Sequence, residues 1–288
     1  MTLNKIKNKL IRLYISLKKE TPLQQRARFE FVNFIKKNNS KYNPDYGEWN
    51  KYIQRFRVYA LKNDPRSFLR WNPITESMFC SGYKIELDYI LQSKNKDLWL
   101  DAIKETWVGH PPKYKYYKKS SGSVIHTAYN LYRIIDKYQI DITKLNNIIE
   151  FGGGYGAMSK TINNLGFAGK YIIFDIPEFL ALQKYYLVST DTPGNFFFID
   201  KIYDIEITDP DMFIATWSIS EAPISVRKEF IKKIGSPKYI LIAYQKVFNS
   251  IDNLEYFESF KKTMPEYEWT NDIILHIPEN YYLLGRKK

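Results

Sequence analysis

The chain contains a single cysteine, Cys80, and only three histidines, His110, His126 and His276. One thiol excludes an intrachain disulfide and is the usage expected of a reducing compartment. No required metal is expected, given where the aspartates of the fourth strand lie. Long apolar runs are also missing. The longest, such as Tyr239–Tyr244, fall far short of the roughly 20 residues needed to cross a bilayer. The basic N-terminus lacks the unbroken apolar stretch of about 7–15 residues that marks a secretion signal. A cytoplasmic protein is expected, at most peripheral at the inner membrane face. No internal repeat and no long flexible linker appear.

Hydrophobic residues make up 44% of the 288 positions, enough for a packed core, which excludes wholesale disorder. Positive charge dominates: 43 Lys and Arg against 31 Asp and Glu leave a net +12. A basic surface attracts phosphates, nucleic acid or anionic membrane without choosing among them. The first 20 residues read as an amphipathic helix, with Ile6, Leu10, Leu13 and Leu17 on one stripe and Lys5, Lys9, Arg12 and Lys19 elsewhere. That stripe would dock on the rest of the protein or on a second copy; attachment to an anionic membrane or to a glycosyltransferase is the alternative. Pro44, Pro65, Pro73, Pro111 and Pro112 divide residues 21–110 into short, mostly helical elements. Residues 1–122 thus read as a helical cap or substrate region.

From residue 123 the pattern changes. Ser123–Tyr138 reads as one helix. Strands are expected at Asn147–Phe151, Tyr171–Asp175, Phe196–Asp200, Met212–Thr216 and Tyr239–Tyr244. Helices are expected at Ala157–Asn164, Pro177–Val188, Ser225–Ile234 and Leu254–Thr263. Such alternation implies βαβ units on a parallel sheet with helices on both faces. Trp269–His276 and Tyr281–Arg286 read as a terminal hairpin, so 123–288 should form a Rossmann-like α/β domain closed by an antiparallel strand.

The run Glu150-Phe-Gly-Gly-Gly-Tyr-Gly156 follows a buried strand and opens a helix, the context in which glycines cradle a ligand. Gly152, Gly154 and Ala157 fit a dinucleotide fingerprint as well as Gly152, Gly154 and Gly156 fit a methyltransferase one. Charge separates the two readings. A pyrophosphate favours a helix N-terminus with no carboxylate nearby, whereas Glu150 would attract the ammonium and sulfonium of S-adenosylmethionine. Asp175, ending the next strand, can accept both ribose hydroxyls, and Asp200, ending the third, can accept from an adenine amino group. Capping of the helix at Pro177 is the plainer role for Asp175.

The glycine run, followed by Tyr171-Ile-Ile-Phe-Asp-Ile-Pro177, resembles class I methyltransferases. The stretch through Glu178–Tyr186 and Trp217-Ser-Ile-Ser-Glu-Ala-Pro223 resembles the bacterial putative sugar O-methyltransferases. The resemblance covers about 123–288. It implies a seven-stranded sheet, S-adenosylmethionine as cofactor, and cofactor contacts from Glu150, Gly152, Gly153, Gly154, Gly156, Asp175, Ile176, Asp200, Trp217 and Ser218. It further implies a sugar, nucleotide-sugar or glycan acceptor in surface polysaccharide synthesis.

Methyl transfer to a hydroxyl benefits from a general base. Open sheets bind ligands beyond the carboxyl ends of their strands, which nominates Glu221 and His276, then His110. The run Lys113-Tyr-Lys-Tyr-Tyr-Lys-Lys119 suits a phosphorylated or nucleotide-linked glycan, or is a solvated loop. Asp209 and Asp211 open the fourth strand, the wrong end for a metal. A homodimer is one expected assembly, and the rival readings are a methyltransferase acting on RNA or another small molecule, a non-catalytic scaffold in a glycan-assembly complex, and an NAD(P)-dependent reductase or epimerase. The reductase lacks a Tyr-x-x-x-Lys pair at a suitable place.

Overall fold

The computed structural model describes residues 10–288 apart from 12 and 39–41. The helices are α1 (Pro22–Lys37), α2 (Trp49–Lys62), α3 (Asn72–Ser77), α4 (Lys84–Gln92), α5 (Lys96–Ala102), α6 (Gly122–Tyr138), α7 (Ala157–Asn164), α8 (Pro177–Ser189), α9 (Ile224–Ile234) and α10 (Asn253–Lys262). A short hairpin, β1 (Lys113–Tyr114) and β2 (Tyr117–Ser121), separates α5 from α6. The central strands are β3 (Asn147–Phe151), β4 (Lys170–Phe174), β5 (Asn195–Ile199), β6 (Met212–Thr216) and β7 (Tyr239–Gln245). A second small hairpin, β8 (Val247–Phe248) and β9 (Ile251–Asp252), precedes α10. The chain closes with β10 (Tyr267–Ile273) and β11 (Asn280–Lys287).

Seven strands form one sheet in the order β10-β11-β7-β6-β3-β4-β5. β3 to β7 are parallel; β11 runs antiparallel between β7 and β10. This is the seven-stranded arrangement implied by the resemblance. The antiparallel strand is second from the edge, because β11 returns from the turn to lie on β7 and leaves β10 outermost. From β3 the chain steps through β4 and β5 to one side and then through β6 and β7 to the other. The switch point therefore lies between β3 and β6, where open α/β sheets hold their ligands.

Both sheet faces are covered, as the continuous apolar strands require. Ile148, Ile214, Leu241 and Leu284 face a core shared with α6, α7, α8 and the N-terminal segment. Their neighbours Ile149, Phe213, Ile242 and Leu283 face the opposite core, under α9 and α10. Helix α8 is apolar on nearly all sides because α1 covers its outer face, where Phe31 stacks on Tyr185 at 5.6 Å. Thr21 fixes the start of α1 through a capping box: its hydroxyl accepts from Gln24 N at 3.2 Å, and its own N–H donates to Gln24 Oε1 at 3.0 Å.

Near the N-terminus, Leu10, Leu13 and Leu17 are exposed, and Ile15 is the buried side chain. The leucine stripe is thus not packed on the rest of the chain. With 3.6 residues per turn, Ile11 and Ile15 make a second apolar stripe on another side, and that one faces inward. Ile6, Lys5, Lys9 and Arg12 lie outside the described residues. No helix among the described residues is long and apolar enough to cross a membrane.

One buried ion pair ties the N-terminal segment to the sheet domain. Arg57 of α2 donates to Glu178 Oε1 at 3.0 Å and to the Ile35 carbonyl at 2.9 Å. Glu178, in the first turn of α8, is fully buried. Arg57→Met removes the guanidinium from this buried carboxylate and should cost about 3–5 kcal/mol. Urea denaturation checks this; a loss below about 1 kcal/mol, the value of an exposed pair, would refute it.

Candidate active site

Beyond the carboxyl ends of β3, β4 and β6 opens a cavity of about 670 Å3. Its floor is the glycine turn. Gly152 has φ +73°, and its N–H donates to the Phe174 carbonyl at 2.8 Å, tying the turn to β4. A Cβ at Gly152 would sit 2.3 Å from Ser218 Cβ, so the loops after β3 and β6 can approach this closely only with glycine there. Gly154, φ +57°, meets nothing within 4 Å of a Cβ position: its open side faces the cavity. Gly156 caps α7 and lies outside the cavity wall, its N–H donating to the Gly153 carbonyl at 2.9 Å.

Glu150, Gly152, Gly153, Gly154, Asp175, Ile176, Asp200, Trp217, Ser218 and Glu221 all line the cavity. Three of the carboxylates are desolvated. Glu150 is 2% exposed; burial pushes its pKa up to about 8, against the opposing hydrogen bond from the Tyr171 hydroxyl at 2.9 Å. Burial likewise lifts Asp175 to about 7, although its oxygens accept from Ile176 N at 2.7 Å and Gln183 Nε2 at 2.6 Å. Asp175 thus holds the entry to α8 and also faces the cavity. Glu221 is raised to about 7 by burial, opposed by hydrogen bonds from Trp49 and Gln245. Asp200 is exposed at the rim.

Trp217 has φ +58°, a conformation that costs a bulky residue roughly 1–3 kcal/mol and persists only where neighbours over-determine it. Its N–H donates to the Ala243 carbonyl at 2.6 Å, and its indole donates to Asn280 Oδ1 at 2.6 Å. Ser218 donates to the Phe151 carbonyl. The strain thus falls where the loops after β3 and β6 meet.

The three histidines separate. His110 is not part of the cavity wall; its ring packs against Tyr14, and burial and nearby cations depress its pKa to about 4. His276 lies just past β10, outside the wall, with Nε2 2.9 Å from Glu86 Oε1. His126, which the sequence did not nominate as a base, lines the cavity with its ring 5.1 Å from the Trp217 ring. Its Nδ1 lies 2.6 Å from the same Glu86 oxygen. Burial works against the imidazolium, but contacts with Cys80 and Glu86 outweigh it and lift His126 to about 9. Glu86, fully buried on α4, carried no signal in the sequence.

The topology could have located His126. A helix that precedes a parallel strand has its N-terminus at the strand's carboxyl end, and His126 stands in the first turns of α6. The N-terminal segment adds Asn43, Tyr46, Trp49, Met78, Phe79 and Tyr83 to the wall. No three His, Cys, Asp or Glu residues among those described could hold a metal. Asp211 instead accepts from the N–H groups of Asn146 and Asn147 at 2.6 and 3.1 Å.

His126's folded pKa lies above its usual 6.5. Its contribution to stability is therefore complete below about pH 6.5 and lost as pH rises through about 9. Wild-type urea midpoints should fall between pH 6.5 and 9, and His126→Gln should flatten that fall. An unchanged fall in the variant would place the proton elsewhere.

No protein-family model matches this sequence, and no curated protein does. Solved structures do match. A Thermoplasma acidophilum protein, 1320, is 16% identical over 57% of this chain and 89% of its own, with a TM-score of 0.41. A SAM-dependent methyltransferase from Aquifex aeolicus is 12% identical over 53% and 89%, also at 0.41. Mitomycin 7-O-methyltransferase is 10% identical over 58% of this chain and 55% of its own, again at 0.41. The likeness is confined to the fold and covers little more than half of this chain.

Proposed function

We propose that the protein is an S-adenosylmethionine-dependent O-methyltransferase acting on a hydroxyl of a sugar or glycan precursor, with residues 1–122 as the acceptor-binding cap. One observation carries this reading: the crevice at the switch point joins an open glycine cradle to the buried carboxylate of Glu150 and the half-buried one of Asp175 in one cavity. A pyrophosphate would meet those carboxylates with repulsion; an ammonium and a sulfonium would be attracted. The open side of Gly154 leaves room for ligand against backbone, and Asp175, lining the same cavity at the end of β4, supports the role of acceptor for ribose hydroxyls.

Bound there, S-adenosylmethionine supplies an activated methyl group. The protein then has to orient the acceptor oxygen and take its proton. His126, held as imidazolium below about pH 9, is unsuited to take a proton at neutral pH. Glu221, lining the cavity with its pKa raised by burial to about 7, is suited to exchange a proton near neutral pH. We assign it the role of general base, with Trp217 and Ser218 shaping the floor beside it. The cap's contribution of Tyr46, Trp49, Phe79 and Tyr83 to the wall supports an acceptor with faces that stack on aromatic rings. Surface polysaccharide is the setting that the resemblance suggests for such an acceptor.

Calorimetric titration with S-adenosylhomocysteine and, in parallel, NAD tests the cofactor. One-to-one binding of the homocysteine compound is expected, weakened roughly tenfold or more by Asp175→Ala, a loss of at least about 1.4 kcal/mol. Binding of NAD in its place would overturn the reading. Because a cation bound beside Glu150 favours its ionised form, binding at pH 7 should release protons, seen as heats that differ between buffers of unlike ionisation enthalpy. Glu221→Gln should lower kcat by about 10²–10⁴ with product binding unchanged.

A further inference from the structure

The run Lys113–Lys119, whose lysines and tyrosines suit a phosphorylated acceptor, forms the β1–β2 hairpin, and none of its residues lines the cavity. Tyr114 is buried there, and the Tyr117 hydroxyl donates to the Leu100 carbonyl at 3.1 Å. The cavity itself has the opposite charge from the molecule. Besides Glu150, Asp175 and Asp200, the wall carries Asp45, Glu76, Glu221 and Glu229. Its cationic groups among the described residues are Lys201, whose ammonium lies 5.5 Å from the Tyr203 ring, and His126, whose charge is matched by the buried carboxylate of Glu86 at 2.6 Å.

We infer that the acceptor entering this cavity is an uncharged or amine-bearing polyol, the free or polymeric part of a glycan, and not a sugar phosphate or nucleotide sugar. This rests on the methyl-transfer reading and narrows its substrate class. Glu150 and Asp175 are committed to the cofactor in that reading, and Asp200 faces its adenine. The acceptor meets what remains, Glu221 and Glu229 from the sheet side and Asp45 from the cap. Glu76 is tied to Arg55 on the outer surface, and neither is deeply buried.

Carboxylates in such a wall accept hydrogen bonds from sugar hydroxyls or ammonium groups, and a protonated Glu221 can donate one. In neither state do they supply the positive charge that a phosphate group needs, and the exposed Asp45 and Glu229 at the cavity mouth carry the wrong sign for an anion. Asn43, Asn130 and Thr127 add uncharged partners, while Tyr46 and Trp49 offer ring faces. The net +12 of the chain thus lies elsewhere than at the cavity wall. The same wall would repel the backbone of RNA, which needs a basic path to the reacting centre.

The test uses the full chain saturated with S-adenosylhomocysteine, so that failure to saturate defeats the cofactor reading separately. UDP-glucose is then titrated by calorimetry into wild type, Glu229→Lys and Thr127→Trp, the last to fill the cavity. Wild type should give no saturable binding up to about 5 mM, and Glu229→Lys should bind at least roughly tenfold below that limit. Binding by wild type that persists in Thr127→Trp is to the outer basic surface and upholds the inference. One-to-one binding by wild type that Thr127→Trp abolishes overturns it. Refusal by both wild type and Glu229→Lys would also overturn it, because shape rather than charge would then be excluding the phosphate.

Discussion

Desolvated carboxylates at the switch point of the sheet are the constraint on which the rest of the site depends. Glu150, Asp175 and Glu221 sit around one cavity, and burial pushes their pKa values up to about 8, 7 and 7. Burying an ionised carboxylate without a partner is costly, so each is held largely or partly protonated until a cation or a hydrogen-bond donor arrives. A ligand carrying positive charge relieves that cost; one carrying phosphate adds to it. The glycine turn, the close approach of Ser218 and the strained Trp217 backbone then appear as the geometry needed to bring these groups to one place.

The N-terminal segment is part of this geometry as much as the sheet is. Arg57 reaches from α2 to the buried Glu178 at the start of α8, immediately after Asp175 and Ile176 in the chain. Glu86, from α4, holds His126 of α6 through one oxygen and His276 beyond β10 through the same oxygen. The cap and the last strands are thereby linked across the cavity's flank. Changes in the cap are therefore expected to be felt at the cofactor end, even where no cap residue touches it.

Much of the sheet domain was legible in the sequence. Asn147–Phe151, Met212–Thr216 and Ala157–Asn164 match the structure residue for residue, because buried parallel strands are continuous apolar runs bounded by glycine, proline or a capping residue. Other ends moved by one to three residues, as with Trp269–His276, observed at Tyr267–Ile273. The hairpin was legible but its placement was not: turn chemistry fixes which strands pair with each other and says nothing of which lies on β7. The cavity residues on strand tips could be named from position alone. Glu86 and Trp49 were harder, since they act at the site through packing between segments distant in sequence. Of the three fates expected for Leu10, Leu13 and Leu17, packing on the rest of the chain is excluded because Ile11 and Ile15 form the inward stripe of the same short helix.

A crystal structure with S-adenosylhomocysteine is the most direct test of the central claim, that buried acids and the glycine cradle together hold an adenosyl amino acid. The ribose hydroxyls should lie on Asp175, the homocysteine end beside Glu150 and Gly152–Gly154, and the sulfur should face the space between Glu221 and Trp217. Density for the ligand outside this cavity, or within it but with the ribose turned away from Asp175, would contradict the claim.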